Sequence, residues 1–222
     1  MEYRSGIGTP YWYEWMIGLT KCLDMLIDSN IKSVVLQSYD YQSLDDVVIN
    51  YMDGTSVNVQ VKHTDTYADA NFTYGTLTNG ETPMLKSWAI EWQKNKDKAQ
   101  IKEIRIVTNK KWGPNKHSGR CSFKTFVEKV FPEIKKEYSY CGNDESEKNA
   151  IEWFKKTISF LGADARYFLS TLSFEQSGDS QAIEEQLENQ LKIIMGTGNT
   201  EAITLAKNAL FGDLTCLENE FS

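Results

Sequence analysis

The N-terminal stretch carries apolar side chains at helical spacing: Trp12, Trp15, Met16, Leu19, Cys22, Leu23 and Leu26, the three-to-four repeat of a helix that buries one face. Thr9-Pro10 suits its start, with a capping hydroxyl and a proline where no amide donor is needed, and Ser29-Asn30 marks its end. The period then shortens. "SVVLQS" at 33–38 reads as a strand, and "SLDDVVINYMDGTSVNVQVKHT" at 43–64 reads as two short strands around an Asp-Gly turn. "PMLKSWAIEWQKN" at 83–95 returns to a helix with Leu85, Trp88, Ala89 and Trp92 on one face, and "EIRIVT" at 103–108 alternates as a strand. Between hairpin and helix, Thr64 to Thr82 is rich in Thr, Asp, Tyr, Asn and Gly. It reads as a loop, long enough to serve as a lid over a site.

The order is helix, strand, strand, strand, helix, strand. A helix between the third and fourth strands implies a crossover connection, hence an α/β layer arrangement rather than an all-β sandwich. Beyond about residue 120 the pattern is helical, with segments at 122–131, 147–161, 164–172, 181–195 and 199–211. The expected organisation is a core over 1–120 and a helical extension over 121–222 packed on it or continuing from it.

The register of the hairpin decides which of its two adjacent acids meets the polar end of the second strand, because a slip of one residue moves every side chain to the other face. A two-residue Asp53-Gly54 loop places position 45 opposite Lys62. A three-residue Met52-Asp53-Gly54 loop with Gly54 left-handed sets Tyr51 opposite Thr55 and Asp46 opposite Gln60. Only the second separates Val47, Ile49, Tyr51, Thr55, Val57, Val59 and Val61 from Asp46, Val48, Asn50, Ser56, Asn58, Gln60 and Lys62, an apolar and a polar face. Asp46 is therefore the acid expected beside Gln60 and Lys62. Two readings of that polar face stay open: a solvated surface hairpin, or half of a metal site. A carboxylate, an amide oxygen and the Val61 carbonyl are hard ligands suited to Mg²⁺, and a neighbouring lysine can orient or deprotonate water and stabilise charge on a phosphate. His63 alternates to the opposite face and stays outside that chemistry.

Composition narrows the partners. The net charge of -7 is unevenly spread: residues 1–85 hold 4 Lys/Arg against 11 Asp/Glu, residues 86–136 hold 14 against 5, and residues 137–222 hold 6 against 15. A basic middle beside an acidic site suits a polyanion, and solvated helix faces give the same count. Cys22, Cys121, Cys141 and Cys216 are far apart with no Cys-x-x-Cys pair, which argues for free thiols rather than a zinc site or disulfide framework. No long uncharged apolar run and no signal-peptide layout appear, so the expected location is cytoplasmic, with no membrane partner.

Glu14 on the first helix, Asp46 before one strand and Gln60-Val61-Lys62 on the next resemble the PD-(D/E)xK nuclease superfamily, in the variant with glutamine replacing the second acid. More narrowly, "TPYWYEWMIGLTKCLDML", the hairpin, "LKSWAIEW" and "IRIVTNK" are similar to the double-stranded DNA endonuclease domain at the N-terminus of antiphage effectors. These include nucleases of cyclic-oligonucleotide signalling systems and of antiviral STAND ATPases, relatives of Mrr-type restriction enzymes. The likeness covers about residues 5–110 well and the remainder loosely.

The resemblance implies a restriction-endonuclease-like αβββαβ core, a mixed sheet flanked by helices, with a helical C-terminal extension. It implies Mg²⁺-dependent phosphodiester hydrolysis, with Mn²⁺ as a substitute, in an antiviral effector. Asp46, Gln60 and Val61 would bind metal, Lys62 would position the attacking water, and Glu14 matches the acid or amide that such nucleases carry on the first helix. The helical wheel groups Glu14 with Tyr11, Gly18 and Lys21, off the tryptophan stripe, so solvent and site are both open to it. Lys94, Lys96, Lys98, Lys102, Lys110, Lys111, Lys116, Arg120 and Lys124 are candidate DNA-backbone contacts, with Trp112 able to pack on sugar or base and Thr108-Asn109 placed for a phosphate. No recognition helix is visible, so cutting of low sequence specificity is expected. Without a GxxxxGK loop, a sensor or ATPase module is expected elsewhere in a longer chain or on a partner, with an oligomer as the active form. The competing expectations are a non-catalytic nucleic-acid-binding or oligomerisation module of the same fold, and an RNA nuclease.

Overall fold

The computed structural model describes residues 9–38, 43, 44, 46–64, 71–78 and 83–218, without the side chains of 9–11, 97–99 and 211–218. The first helix, α1 (Thr9–Ile27), leads into β1 (Ile31–Leu36), followed by the hairpin β2 (Val47–Tyr51) and β3 (Ser56–Val61). After β4 (Asn71–Phe72), α2 (Tyr74–Thr78) and α3 (Met84–Ala99), the chain re-enters the sheet as β5 (Ile101–Thr108). Then come β6 (Lys111–Trp112), α4 (Phe123–Thr125), a π turn (Phe126–Val130), α5 (Phe131–Lys136) and α6 (Glu145–Thr157). A 3₁₀ segment, α7 (Ala165–Thr171), β7 (Leu172–Gln176), α8 (Ser180–Met195) and α9 (Thr200–Glu218) complete it.

The main sheet has the order β1-β2-β3-β5-β7. β1, β2 and β3 are antiparallel neighbours, while β3, β5 and β7 run parallel. The expected crossover is present, with α3 connecting β3 to β5. The hairpin takes the three-residue loop: Val47 pairs with Val59 and Asn50 with Ser56, the Tyr51 amide donates to the Thr55 carbonyl at 2.9 Å, and Gly54 has φ 84°. Glycine meets that left-handed conformation without a steric cost.

The centre of the sheet is buried on both sides. One face sets Val47, Ile49, Val57, Val59 and Val61 against Tyr13, Met16 and Ile17 of α1 and Ile183, Leu187 and Leu191 of α8. The other carries Val48, Ile104 and Ile106 beneath Leu85, Trp88 and Trp92 of α3 and the aromatic cluster of the C-terminal half. The hairpin's polar face is therefore not a wet surface: Ser56, Asn58 and Gln60 are buried. The Asn58 amide donates to the Leu44 carbonyl at 3.0 Å and the Ser56 hydroxyl to Asn58 Oδ1 at 3.2 Å, as buried polar groups require.

The C-terminal region is helical as expected, and it also supplies a strand that was not: Leu172, expected to end a helix, opens β7, which pairs along β5 from Ile104↔Leu172 to Thr108↔Gln176. Five residues with only Leu172 fully buried leave a weak periodic signal. Both core clusters also draw on residues from either side of position 120. Within the expected loop 64–82, residues 71–78 form β4, paired with β6, and α2, anchored by buried Phe72, Tyr74 and Leu77. Residues 65–70 and 79–82, where a lid was expected, lie outside the described residues.

Aromatic packing holds the second layer. Ser122 caps α4 by accepting from the Thr125 amide at 3.0 Å, and the Phe131 amide then reaches the Phe126 carbonyl, five residues back. This π turn immediately precedes Pro132, which has no amide to continue the regular ladder. Phe126 is fully buried among Tyr74, Phe123, Phe131, Trp153 and Phe154. Phe126→Ala is expected to lower unfolding stability by about 3–5 kcal/mol, read from the shift in urea midpoint at constant slope.

Candidate active site

Asp46 stands one residue before β2 and, by the register, opposite Gln60 near the end of β3. Its Oδ2 accepts two hydrogen bonds and faces a cation. The Gln60 side-chain amide and the Val61 backbone amide donate to it, the latter at 2.7 Å, and Lys62 Nζ lies 4.0 Å away. The Asp46 side chain is 14% exposed, and burial pushes its pKa above the ordinary aspartate value, with Lys62, the Val61 amide and the Gln60 amide pulling it back. A carboxylate is thus held partly desolvated and kept ionisable by a lysine and two amides.

Asp46 Oδ1 and the Gln60 amide oxygen accept no hydrogen bond among the described residues. These oxygens and the Val61 carbonyl are chemically hard donors, of the kind that suits Mg²⁺, an ion that keeps most of its waters. Among the described residues no three His, Cys, Asp or Glu side chains cluster, so any such site rests on one acid with amide and carbonyl support. Asp45 lies outside the described residues.

The site occupies the pole where β3, β5 and β7 end. α1 begins there too, since Tyr13 stacks on His63 at 5.2 Å and reaches Ser177, and α8 begins just after. α3 finishes at the opposite pole, where the Gln100 carbonyl accepts from Ser56. α1 and α8 thus present their positive ends to the site pole, a setting that favours an anion. His63, on the α1 side, faces away from the Asp46 cluster as expected.

Glu14 is half-buried on α1, one turn before Gly18, whose Cα abuts the Leu36 side chain at the end of β1. The Gln37 amide in turn donates to the Asp46 carbonyl at 3.0 Å, which sets Glu14 one helical turn from the residue that packs on this edge of the sheet. The geometry joins Asp46, Gln60, Val61 and Lys62 directly; for Glu14 it supplies a helix position.

The basic residues sort by pole. Lys110 and Lys111 follow β5 directly at the site, and exposed Lys116 lies in the next loop. Arg120 lies over the Tyr74 and Trp153 rings at 5.0 and 5.4 Å, and Lys124 pairs with Glu128 at 3.9 Å. Lys94 and Lys96 sit near the far end of α3, paired with Glu91 at 3.6 Å and Asp164 at 2.5 Å. Lys102, also far from the site, lies over Tyr51, and the Lys98 side chain is outside the described residues. Trp112 is buried beside Phe72, Phe123 and Phe174, so it packs in the core and not on a sugar or base. Thr108 and Asn109 spend their polar atoms on the backbone of Lys62 and Thr64, in place of the expected phosphate. Tyr13 was read from the sequence only as part of the helix; alternation and spacing carry no signal for its hydroxyl's partners 164 and 165 residues away.

A mixed sheet flanked by helices, with an acid, an amide and a lysine gathered where its parallel strands end, is an α/β nuclease architecture. The chain matches the family described as Cap4, dsDNA endonuclease domain, over residues 6–207, and it belongs to that family. No curated protein matches it. Among solved structures it is similar to an Acinetobacter baumannii Cap4 SAVED/CARF-domain containing receptor, determined with the cyclic trinucleotide 3'3'3'-cAAA, at 12% identity and a TM-score of 0.50. The alignment covers 97% of this chain and 42% of that one, so the chain spans less than half the receptor's length, and the likeness is one of fold. Among the described residues no helix is long and apolar enough to cross a membrane.

The raised pKa of Asp46 gives a signed prediction. Its ionisation costs the folded state at pH above the folded pKa, and that cost vanishes below the unfolded value. The stability of Asp46→Asn relative to wild type should therefore improve as pH rises through this range, in denaturation at acid and neutral pH. Lys62→Met should move the Asp46 midpoint further up, read by carboxyl-carbon NMR titration.

Proposed function

We propose that this chain is a Mg²⁺-dependent endonuclease that hydrolyses double-stranded DNA with low sequence specificity, serving as the effector domain of a prokaryotic antiviral defence system. Membership of an endonuclease-domain family supports the reaction class, and the observation that carries the residue assignment is the convergence of Gln60, Val61 and Lys62 on Asp46. Asp46 Oδ1, the Gln60 amide oxygen and the Val61 carbonyl are the atoms that would hold the metal, with Mn²⁺ as a substitute. When bound, the ion would supply Lewis-acid stabilisation of charge on the phosphate and a more acidic water.

The protein's own groups do the rest. Lys62, 31% exposed on its side chain, carries positive charge to the strand end and can donate to a phosphate oxygen while holding the attacking water in line. Glu14, on the first helix, is the acid proposed to join Asp46 at this site. Lys110, Lys111, Lys116 and Arg120 are the proposed backbone contacts on this side, where charge positions the duplex without reading its sequence; Lys94, Lys96 and Lys98 would meet only DNA that extends to the other pole.

The similar receptor joins such a region to a SAVED/CARF domain and carries a cyclic trinucleotide. By analogy this domain would work under a sensor module, in the same full-length chain or on a partner protein, in the cytoplasm and as an oligomer when active. The uncharged Gln60 favours a second reading, a non-catalytic module of the same fold; an RNA substrate is distinguished by assay.

Supercoiled plasmid should be nicked and linearised with Mg²⁺ or Mn²⁺ and left intact with EDTA, while structured RNA under the same conditions survives. Asp46→Ala and Lys62→Ala should each reduce cleavage by about 100-fold or more. Intact plasmid with wild type, in assembled form as well, or wild-type rates in both variants, would refute the assignment. DNA affinity should fall with salt, and Lys110→Ala or Lys111→Ala should each reduce the slope of log affinity against log salt by about one; an unchanged slope would remove these lysines from the interface.

A further inference from the structure

Lys62 lies one residue beyond β3, yet its backbone is held at both its amide and its carbonyl. Its amide donates to the Val107 carbonyl at 2.9 Å, and its carbonyl accepts from the buried Thr108 hydroxyl. That hydroxyl also accepts from the Lys110 amide at 3.1 Å. Two residues on, the Asn109 side-chain amide accepts from the Thr64 amide and donates to the Thr64 carbonyl, both at 3.0 Å. A side-chain amide has the donor and acceptor of a peptide unit, so Asn109 extends the ladder past the last backbone pair.

The circuit closes through other elements. The Thr108 carbonyl accepts from the Ser177 amide at 2.8 Å. The Tyr13 hydroxyl lies 2.5 Å from the Ser177 hydroxyl and donates to the Gly178 carbonyl at 2.7 Å. The Tyr13 ring stacks on His63 at an interplanar angle of 12°, and His63 adjoins Lys62. Lys62, Thr108, Ser177, Tyr13 and His63 thus form a ring of contacts tying α1, β3, β5 and β7 together beside Asp46. Tyr13 also precedes Glu14, so the same tyrosine sets the helix turn that carries the remaining acid.

We infer that Thr108 and Tyr13 are positioning residues for the hydrolytic site, acting through the Lys62 backbone and the first turns of α1. The inference rests on the nuclease reading. Thr108 is fully buried, and the hydroxyls of both residues are engaged with protein, so neither is a group for substrate. A displacement of about an ångström at a catalytic group can cost about 100-fold in rate, and this circuit is what holds Lys62 where the regular sheet no longer does.

Thr108→Val keeps shape and removes the hydroxyl; Tyr13→Phe keeps the stack on His63 and removes both hydroxyl contacts. Each is expected to lower kcat for plasmid cleavage by about 10- to 100-fold with a much smaller change in KM, since neither variant removes a side chain proposed to contact DNA, although Thr108 also anchors the Lys110 amide. Thr108→Ser, which restores the hydroxyl, is expected to recover kcat to within about fivefold of wild type. Circular dichroism and thermal unfolding establish that each variant is folded, and where Thr108→Val is not, Tyr13→Phe and Thr108→Ser decide. Wild-type kcat in folded Thr108→Val and Tyr13→Phe, a loss expressed only in KM, or no rescue by serine would overturn the inference. A wild-type protein that cuts nothing would instead overturn the nuclease reading itself.

Discussion

A carboxylate brought to the end of a strand buried on both faces is the constraint around which this structure is organised. Charge removed from water must find donors, or the group is neutralised. Asp46 meets that demand with the Gln60 side chain, the Val61 amide and the charge of Lys62, three consecutive residues at the end of β3 and just past it. The same donors that make burial of the acid tolerable leave its second oxygen and the glutamine oxygen accepting no bond among the described residues. A site for a hard cation and a structural solution for a buried acid are thus one arrangement.

This arrangement depends on register. One residue of slip between β2 and β3 would move Asp46 to the valine face against α1 and break both core clusters at once. Gly54 permits the three-residue loop, and the valines on one face penalise any alternative. The hydrophobic effect acts on the apolar positions, and the placement of the acid follows from theirs. The first turns of α1 and α8, at the pole where the parallel strands stop, add positive helix ends that favour an anion.

Part of this was readable before any coordinates. Helical periodicity marked α1, α3 and the later helices, and the crossover order implied the parallel pairing of β3 with β5. The resemblance to the antiphage nuclease domain rests on short motifs that the family match extends over residues 6–207. β7 escaped because five residues with one fully buried side chain carry little periodicity, and the ordering of 71–78 escaped because Phe72, Tyr74 and Leu77 are spaced by no regular period. The polar hairpin face was expected to be wet if it was not a site. Its burial arises from α3 and the aromatic layer, whose docking no local pattern reports.

The alternation that places Asp46, Gln60 and Lys62 on one face is legible in the chain, because side-chain period and turn chemistry are local properties. How that face is used follows from long-range packing. It buried the carboxylate, separated Lys110 and Lys111 near the site from Lys94 and Lys96 at the far pole, put Trp112 in the core, and joined Thr108, Ser177 and Tyr13 around Lys62. Those contacts link residues far apart in the chain, and their positions are set by the packing of two layers onto one sheet rather than by the preferences of any segment.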